Sequence, residues 1–193
     1  MPRLWSDTIE SHRRAVRDAA VDVTTALVAQ HGLRGVTMSE IAERAGIGRA
    51  TLYKYFPDVD SILREWHERE ISSHLRQLVA ARDQASGAAE RLRAVLEAYA
   101  SLAHGSHGHH DAEVAAVLHR NAEPIMRAER EVQKLLEDVL TEAAAAGVVR
   151  RDVTVHELAA YCLHALGAAR ALTSRTARHR LAGITMDGLR EVG

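Results

Sequence analysis

Apolar side chains recur along this chain three and four residues apart, the spacing of one face of an α-helix. Val16, Ala20, Val23 and Leu27 mark a first helix that stops at His31-Gly32. Further on, Pro57-Asp58 opens a long helix with Ile62, Trp66, Ile71, Leu75 and Leu78 turned inward, ending before Ser86-Gly87. Leu92, Val95, Leu96, Tyr99 and Leu102 form another stripe, and Val114, Val117 and Leu118 a shorter one. Pro124 suits a first helical turn, where its missing N–H is harmless, and Val132, Leu135, Leu136, Val139 and Leu140 follow it to Gly147. Thr154 and Glu157 form a T-x-x-E capping box that opens a helix of small and apolar residues, Leu158 to Ala169, and a last helix covers Ala177 to Leu189. With two short helices between Gly35 and Phe56, the pattern predicts an all-α fold of about nine helices.

Those two short helices carry the chemistry. In the run GVTMSEIAERAGIGRATLYKYF, Gly35–Phe56, Thr37 and Glu40 make a second capping box, and Ile41, Ala42 and Ala45 give the helix they open a narrow apolar face. Gly46 supplies the left-handed residue that ends it. Ile47 plugs the corner, and a second helix restarts near Gly48. Small Ala42 permits a close, steep crossing, while Leu52 and Phe56, four apart, anchor the second helix beneath. That leaves Arg49, Thr51, Tyr53, Lys54 and Tyr55 on its other sides. Arginine can fork a guanine edge, threonine can meet a thymine methyl, and tyrosine or lysine can hold phosphate oxygens. A plain helical hairpin with a solvated face is the alternative, but cap, small residue, turn, plug and aromatic-basic helix in this order point to a helix-turn-helix. The candidate DNA-binding set is Thr37, Gly48, Arg49, Ala50, Thr51, Tyr53, Lys54 and Tyr55.

The segment Thr37–Phe56, with its AGIGRATLYKYF core, resembles the N-terminal DNA-binding domain of the TetR family of bacterial transcriptional regulators, and the chain's length and helical layout agree. The resemblance implies a three-helix DNA-binding domain over residues 1–57 and a helical effector-binding and dimerisation domain over 58–193. It also implies a one-component regulator, a repressor, that binds a palindromic double-stranded DNA operator as a homodimer and responds to a small-molecule effector. Two departures stand out: family members usually carry Ser or Thr at the place of Gly48, and a lysine near Asp58-Val59. The resemblance implies that those positions usually help to hold phosphate. In the family the last two helices form a four-helix bundle with the twofold mate. Leu158, Cys162, Ala165, Gly167 and Ala168 are the candidate dimer residues here, with packing inside one protomer as the alternative. A dimer is expected independently, because helix-turn-helix proteins read half-sites about 34–36 Å apart or a multiple of that.

Composition narrows the setting. The 193 residues are 47% hydrophobic and 26% charged, ordinary globular usage, and three prolines and 4% aromatics suit an all-helical protein. The N-terminal stretch MPRLWSDTIESHRR has no apolar signal-like region, and no run approaches the roughly 18 apolar residues of a membrane span, so a cytoplasmic protein without membrane partners is expected. Charge contributes little: residues 1–57 hold eight Lys and Arg against six Asp and Glu, and residues 58–193 hold 17 against 20. DNA affinity must then come from locally placed Arg49 and Lys54, with Arg34 or Arg44, instead of a broad basic field.

Histidine is the second chemical feature. Of twelve, His104, His107, His109, His110 and His119 crowd one region, and His104, His110, Glu113 and His119 could in combination hold a borderline metal. Gly105 and Gly108 break any regular display, so the expectation is no required metal or cofactor, with a metal-responsive regulator as the alternative. An organic effector is expected in a pocket drawn from Trp66, His67, Tyr99, His119, Tyr161 and His164, the two histidines at 67 and 164 facing the interior. Lone Cys162 reads as a packed core thiol. No catalytic residues are assigned: Cys162, His164 and Glu157 contain reactive atoms, but no nucleophile elbow, phosphate loop or paired ligand spacing accompanies them. An enzyme is the remote alternative.

Overall fold

The computed structural model describes residues 3–105, 114 and 123–190, and within them the chain forms helices and turns with no strand. Among the described residues eight α-helices have bounds: α1 (Arg3–His31), α2 (Met38–Arg44), α3 (Arg49–Tyr55), α4 (Val59–Gln84), α5 (Ala88–Gly105), α6 (Glu123–Ala145), α7 (Val155–Gly167) and α8 (Arg175–Gly188). The all-α class is as the periodicity predicts. The stripe at Val114, Val117 and Leu118 lies outside the described residues except for Val114, which is helical and buried.

The chain packs as two units that divide within α4, between Glu70 and Ile71. Pro57-Asp58, the boundary expected from sequence, marks where α4 begins and not where packing divides. Ile62 on the first turns of α4 is buried in the same cluster as Leu27, Ile41, Leu52 and Phe56, and burying a side chain of this kind is worth about 1.5–3 kcal/mol. On α1 the buried stripe is Val16, Ala20, Val21, Thr24 and Leu27, with Val23 only partly covered. Thr24 satisfies its buried hydroxyl by donating to the Ala20 carbonyl at 2.7 Å.

In the second unit α5 is the central rod, packed against α6, α7 and α8. Leu92, Val95, Leu96 and Ala100 meet Leu136, Val139, Leu140 and Ala143 of α6, and Leu158, Cys162 and Leu166 of α7 close the cluster. The termini form where the local sequence demands. Thr154 and Glu157 complete a reciprocal capping box at the start of α7. Gly147, with φ of 70°, ends α6: its N–H donates to Ala144 O and that of Val148 to Ala143 O, the paired bonds of a Schellman stop.

Candidate nucleic-acid interface

The helix-turn-helix is built by three local devices. Thr37 caps α2, its hydroxyl accepting the Glu40 N–H at 3.2 Å, a bond worth about 1 kcal/mol. Here the expected box is half made: Glu40 turns its carboxylate to Arg44, 3.5 Å away on the next turn, where a short ion pair is available. Gly46, at φ 64°, then ends the helix; its N–H donates to Glu43 O and that of Ile47 to Ala42 O. The left-handed backbone of the corner is therefore set by Gly46, the residue type that takes it at least cost. Ala42 is buried at the crossing and Ile47 is packed against the core.

On α3 only Leu52 is buried. Gly48, Arg49, Ala50, Tyr53 and Lys54 are exposed, Tyr53 by 54%, while Thr51 and Tyr55 are half-buried and Tyr55 leans on the core. Of the expected DNA-contacting set, α3 thus presents Arg49, Ala50, Tyr53 and Lys54 freely, while Thr37 is exposed at the start of α2 with its hydroxyl engaged by the Glu40 N–H. Gly48 is the N-cap but offers no side chain to the open N–H groups of α3. A Cβ there would meet Thr51 Oγ1 at 3.7 Å, so the site has room for the Ser or Thr usual in the resembled family.

Asp58 has a role that the sequence reading did not assign. Its carboxylate accepts the Ser61 N–H at 2.7 Å and the Ser61 hydroxyl accepts the Asp58 N–H at 3.4 Å, a reciprocal cap at the start of α4. The D-x-x-S spacing ahead of the apolar run was the available signal. An acidic cap replaces the lysine expected there, and it suits the positive end of the helix dipole.

A second unassigned feature links α1 to α4. Arg17 forks Glu65 with Nε on Oε1 at 3.0 Å and Nη2 on Oε2, and its guanidinium lies 5.2 Å from the centre of the Phe56 ring. Arg69 donates to Glu65 Oε1 and, at 2.5 Å, to Asp18 Oδ1. The Glu65 side chain is only 14% exposed. Burial pushes its carboxyl up, but the hydrogen bonds from Arg17 and Arg69 outweigh this and hold it below its ordinary value of 4.5. Its stabilising contribution is therefore complete above pH 4.5 and is lost as pH falls through the lower folded value. Wild type is expected to melt above Glu65→Gln at pH 7, and the gap to shrink as pH drops below about 4, a value near the ordinary carboxylate range. Thermal melts at several pH values check this; a gap that stayed constant would mean that Glu65 acts through shape alone.

The remaining candidates fall in several places. Leu158 and Cys162, candidates for a dimer surface, are packed in the core of the second unit, which for Cys162 is the core thiol that its lone position suggests. Burial pushes the Cys162 thiol up to about 12, which removes it as a nucleophile at neutral pH. Tyr161, His164 and Ala168, spaced three and four apart, form the outward stripe of α7 and its end, and Ala165 and Gly167 border it. His164 is thus not an interior histidine: it is exposed, its Nδ1 donating to the Ala160 carbonyl at 2.8 Å. The reason is register, since Leu158, Cys162 and Leu166 take the inward face. Tyr161 is 43% exposed and lies across Gly188, where an added Cβ would meet its hydroxyl at 2.5 Å. Tyr99 is half-buried against the core. Trp66 and His67 are half-buried in the first unit, ring centres 6.2 Å apart. An open cleft of about 400 Å³ in the second unit is lined by residues including Ala94, Glu97, Arg175 and His179, and by none of the expected effector residues that lie among the described ones, Trp66, His67, Tyr99, Tyr161 and His164. Of the metal set, His104 belongs to the last turn of α5; His110, Glu113 and His119 lie outside the described residues. Among the described residues no helix is long and apolar enough to cross a membrane.

Comparison with known proteins agrees with this geometry. Residues 20–65 match the family model of bacterial regulatory proteins of the tetR family, and residues 88–191 that of the C-terminal domain of SbtR-like transcriptional regulators. The HTH-type transcriptional regulator BetI of Agrobacterium fabrum is 36% identical over 80 residues, which are 42% of this chain and 39% of that protein; the match thus spans well under half of the relative. A TetR transcriptional regulator from Streptomyces coelicolor shares the fold with a TM-score of 0.62 at 24% identity, over 92% of this chain and 99% of that one. FadR of Bacillus subtilis, solved in complex with stearoyl-CoA, does so with a TM-score of 0.64 at 19% identity, over 92% and 97%.

Proposed function

The chain belongs to the TetR family of transcriptional regulators, and from that premise we propose that it is a one-component repressor which binds a palindromic operator as a homodimer and releases it when a small effector occupies the C-terminal domain. The carrying observation is α3: a seven-residue helix held by one buried residue, Leu52, that presents Arg49, Ala50, Tyr53 and Lys54 to solvent. The arginine, tyrosine and lysine so presented can fork a base edge and hold phosphate oxygens, which is what duplex DNA offers. The FadR complex with stearoyl-CoA supports an organic effector for a fold of this kind. Helix α4, continuous from Val59 to Gln84, is shared by both units and is the element through which effector binding would be felt. For release to follow, the effector must bind the two forms of the protein with different affinity.

Selection of bound sequences from a pool of random duplexes tests the reading, with an inverted repeat as the expected product and no enrichment as the contrary result. On the selected duplex, Arg49→Ala is expected to weaken specific binding by about 1–3 kcal/mol and to relax preference at one base pair per half-site, as removal of a base-reading arginine does. Lys54→Ala should weaken binding to every sequence alike and lower the salt slope by about one, as loss of a phosphate contact does. Gel shifts across operator point variants separate the two. Full discrimination retained by the Arg49 variant would remove its base-reading role.

A further inference from the structure

We propose that Arg17, on α1, is a positioning residue for DNA reading, transmitting the placement of α4 to the recognition helix through the ring of Phe56. This rests on the DNA-reading function above. At seven residues α3 is too short to be stable alone, so its pitch is set chiefly by what holds its two fully buried contact points, beside which Tyr55 is only half-buried against the core. One is Leu52, embedded in the core; the other is Phe56, the residue that ends the helix, whose N–H donates to Leu52 O at 2.9 Å. Phe56 is 2% exposed, and the Arg17 guanidinium lies over its ring. That guanidinium is not free to follow the ring, because Glu65 of α4 takes it in a two-pronged grip and is itself gripped by Arg69, which returns to Asp18, the neighbour of Arg17 on α1. The four side chains close a loop from α1 to α4 and back. A planar, forked cation is suited to this position: it fixes a plane against the aromatic face and meets both carboxylate oxygens at once. Moving α4 against α1 therefore tilts or withdraws the plane that Phe56 rests on. Base contacts depend on the resulting pitch of α3 far more than phosphate contacts do, since the former need aligned bidentate geometry and the latter only proximity of charge.

The test compares wild type with Arg17→Met, Glu65→Gln, Arg17→Met/Glu65→Gln and Arg17→Lys. Each is titrated by fluorescence anisotropy against the duplex that wild type selects from the random pool and against a scrambled duplex of equal length, at temperatures below its measured melt. Arg17→Met is expected to lower the ratio of specific to non-specific affinity by about tenfold, the size of one spoiled base contact, with the salt slope on scrambled DNA unchanged. The double variant should lose no more than the single ones, because both break the same loop. Arg17→Lys should fall between, keeping the charge over the ring but not the fork. If Arg17→Met does not fold, the near-isosteric Glu65→Gln gives the same reading. Lower melting temperatures with an unchanged affinity ratio would make the cluster structural only and overturn the proposal. A salt slope reduced by about one in Arg17→Met would make Arg17 a direct phosphate contact, and multiplicative losses in the double variant would make the residues independent; either result overturns it too. If wild type selects no duplex, the DNA-reading function fails first, and this role with it.

Discussion

Leu52→Ala is expected to destabilise the first unit by about 2–5 kcal/mol, the cost of truncating a fully buried leucine, and to abolish operator binding. Leu52 has no exposed surface and is the sole buried side chain of α3, in one cluster with Ile41, Ala42 and Phe56. Nothing else on the helix can take its place. The loss is a large share of the roughly 5–15 kcal/mol that holds a typical domain together. Both tryptophans, Trp5 and Trp66, belong to residues 1–70, so urea unfolding followed by tryptophan fluorescence reports this unit. The fluorescence midpoint should fall while the helical circular dichroism of the second unit persists. An unchanged midpoint would show that α3 is not held as the structure has it.

The second large effect is expected at Ala168→Arg. The stripe Tyr161, His164 and Ala168 faces outward on α7 and the turn after it, and on α8 Ile184 is 65% exposed. At neighbouring Gly167 an added Cβ would meet nothing within 4 Å. The protomer therefore has room for a longer side chain here, and a loss of assembly can be read apart from a loss of fold. If a twin protomer covers this stripe, the twofold axis brings in two arginines, each desolvated without a partner at a cost of several kcal/mol. The dimer dissociation constant should rise by at least about a hundredfold, equivalent to about 2.8 kcal/mol, and operator affinity should fall with it. Sedimentation velocity at micromolar protein checks the assembly and a thermal melt checks the fold. A dimer of normal affinity would place the interface elsewhere.

The local architecture was legible in the chain because its determinants are local. A hydroxyl three residues ahead of an N–H makes a cap at Thr37 and Thr154, and a lone glycine after an apolar stripe ends a helix at Gly46 and Gly147. Where apolar residues keep to one stripe, as at Leu135, Leu136, Val139 and Leu140 of α6, periodicity also names the buried face, because only one orientation covers them all. The same rule fails on α7. From Leu158 to Ala169 nearly every residue is small or apolar, so several faces could point inward, and sequence alone offered Leu158 to a partner, Cys162 to either a partner or the core, and His164 to the interior. Packing against α5 and α6 chose otherwise.

The helical class and the helix-turn-helix with its turn at Gly46 follow from interactions within four or five residues, and the exposure of Arg49, Tyr53 and Lys54 from their spacing against the apolar Leu52. Only packing between distant segments set the outward turn of Tyr161 and His164, the burial of Leu158, the division inside α4, and the meeting of Arg17 with Glu65 and Phe56. Arg17 and Glu65 stand 48 residues apart, and each reads in isolation as an ordinary exposed charge on a helix. Their pairing exists only because one hydrophobic cluster, with Ala20 and Leu27 of α1 and Ile62 of α4, brings the two helices together, and no periodicity along the chain encodes a distance across it.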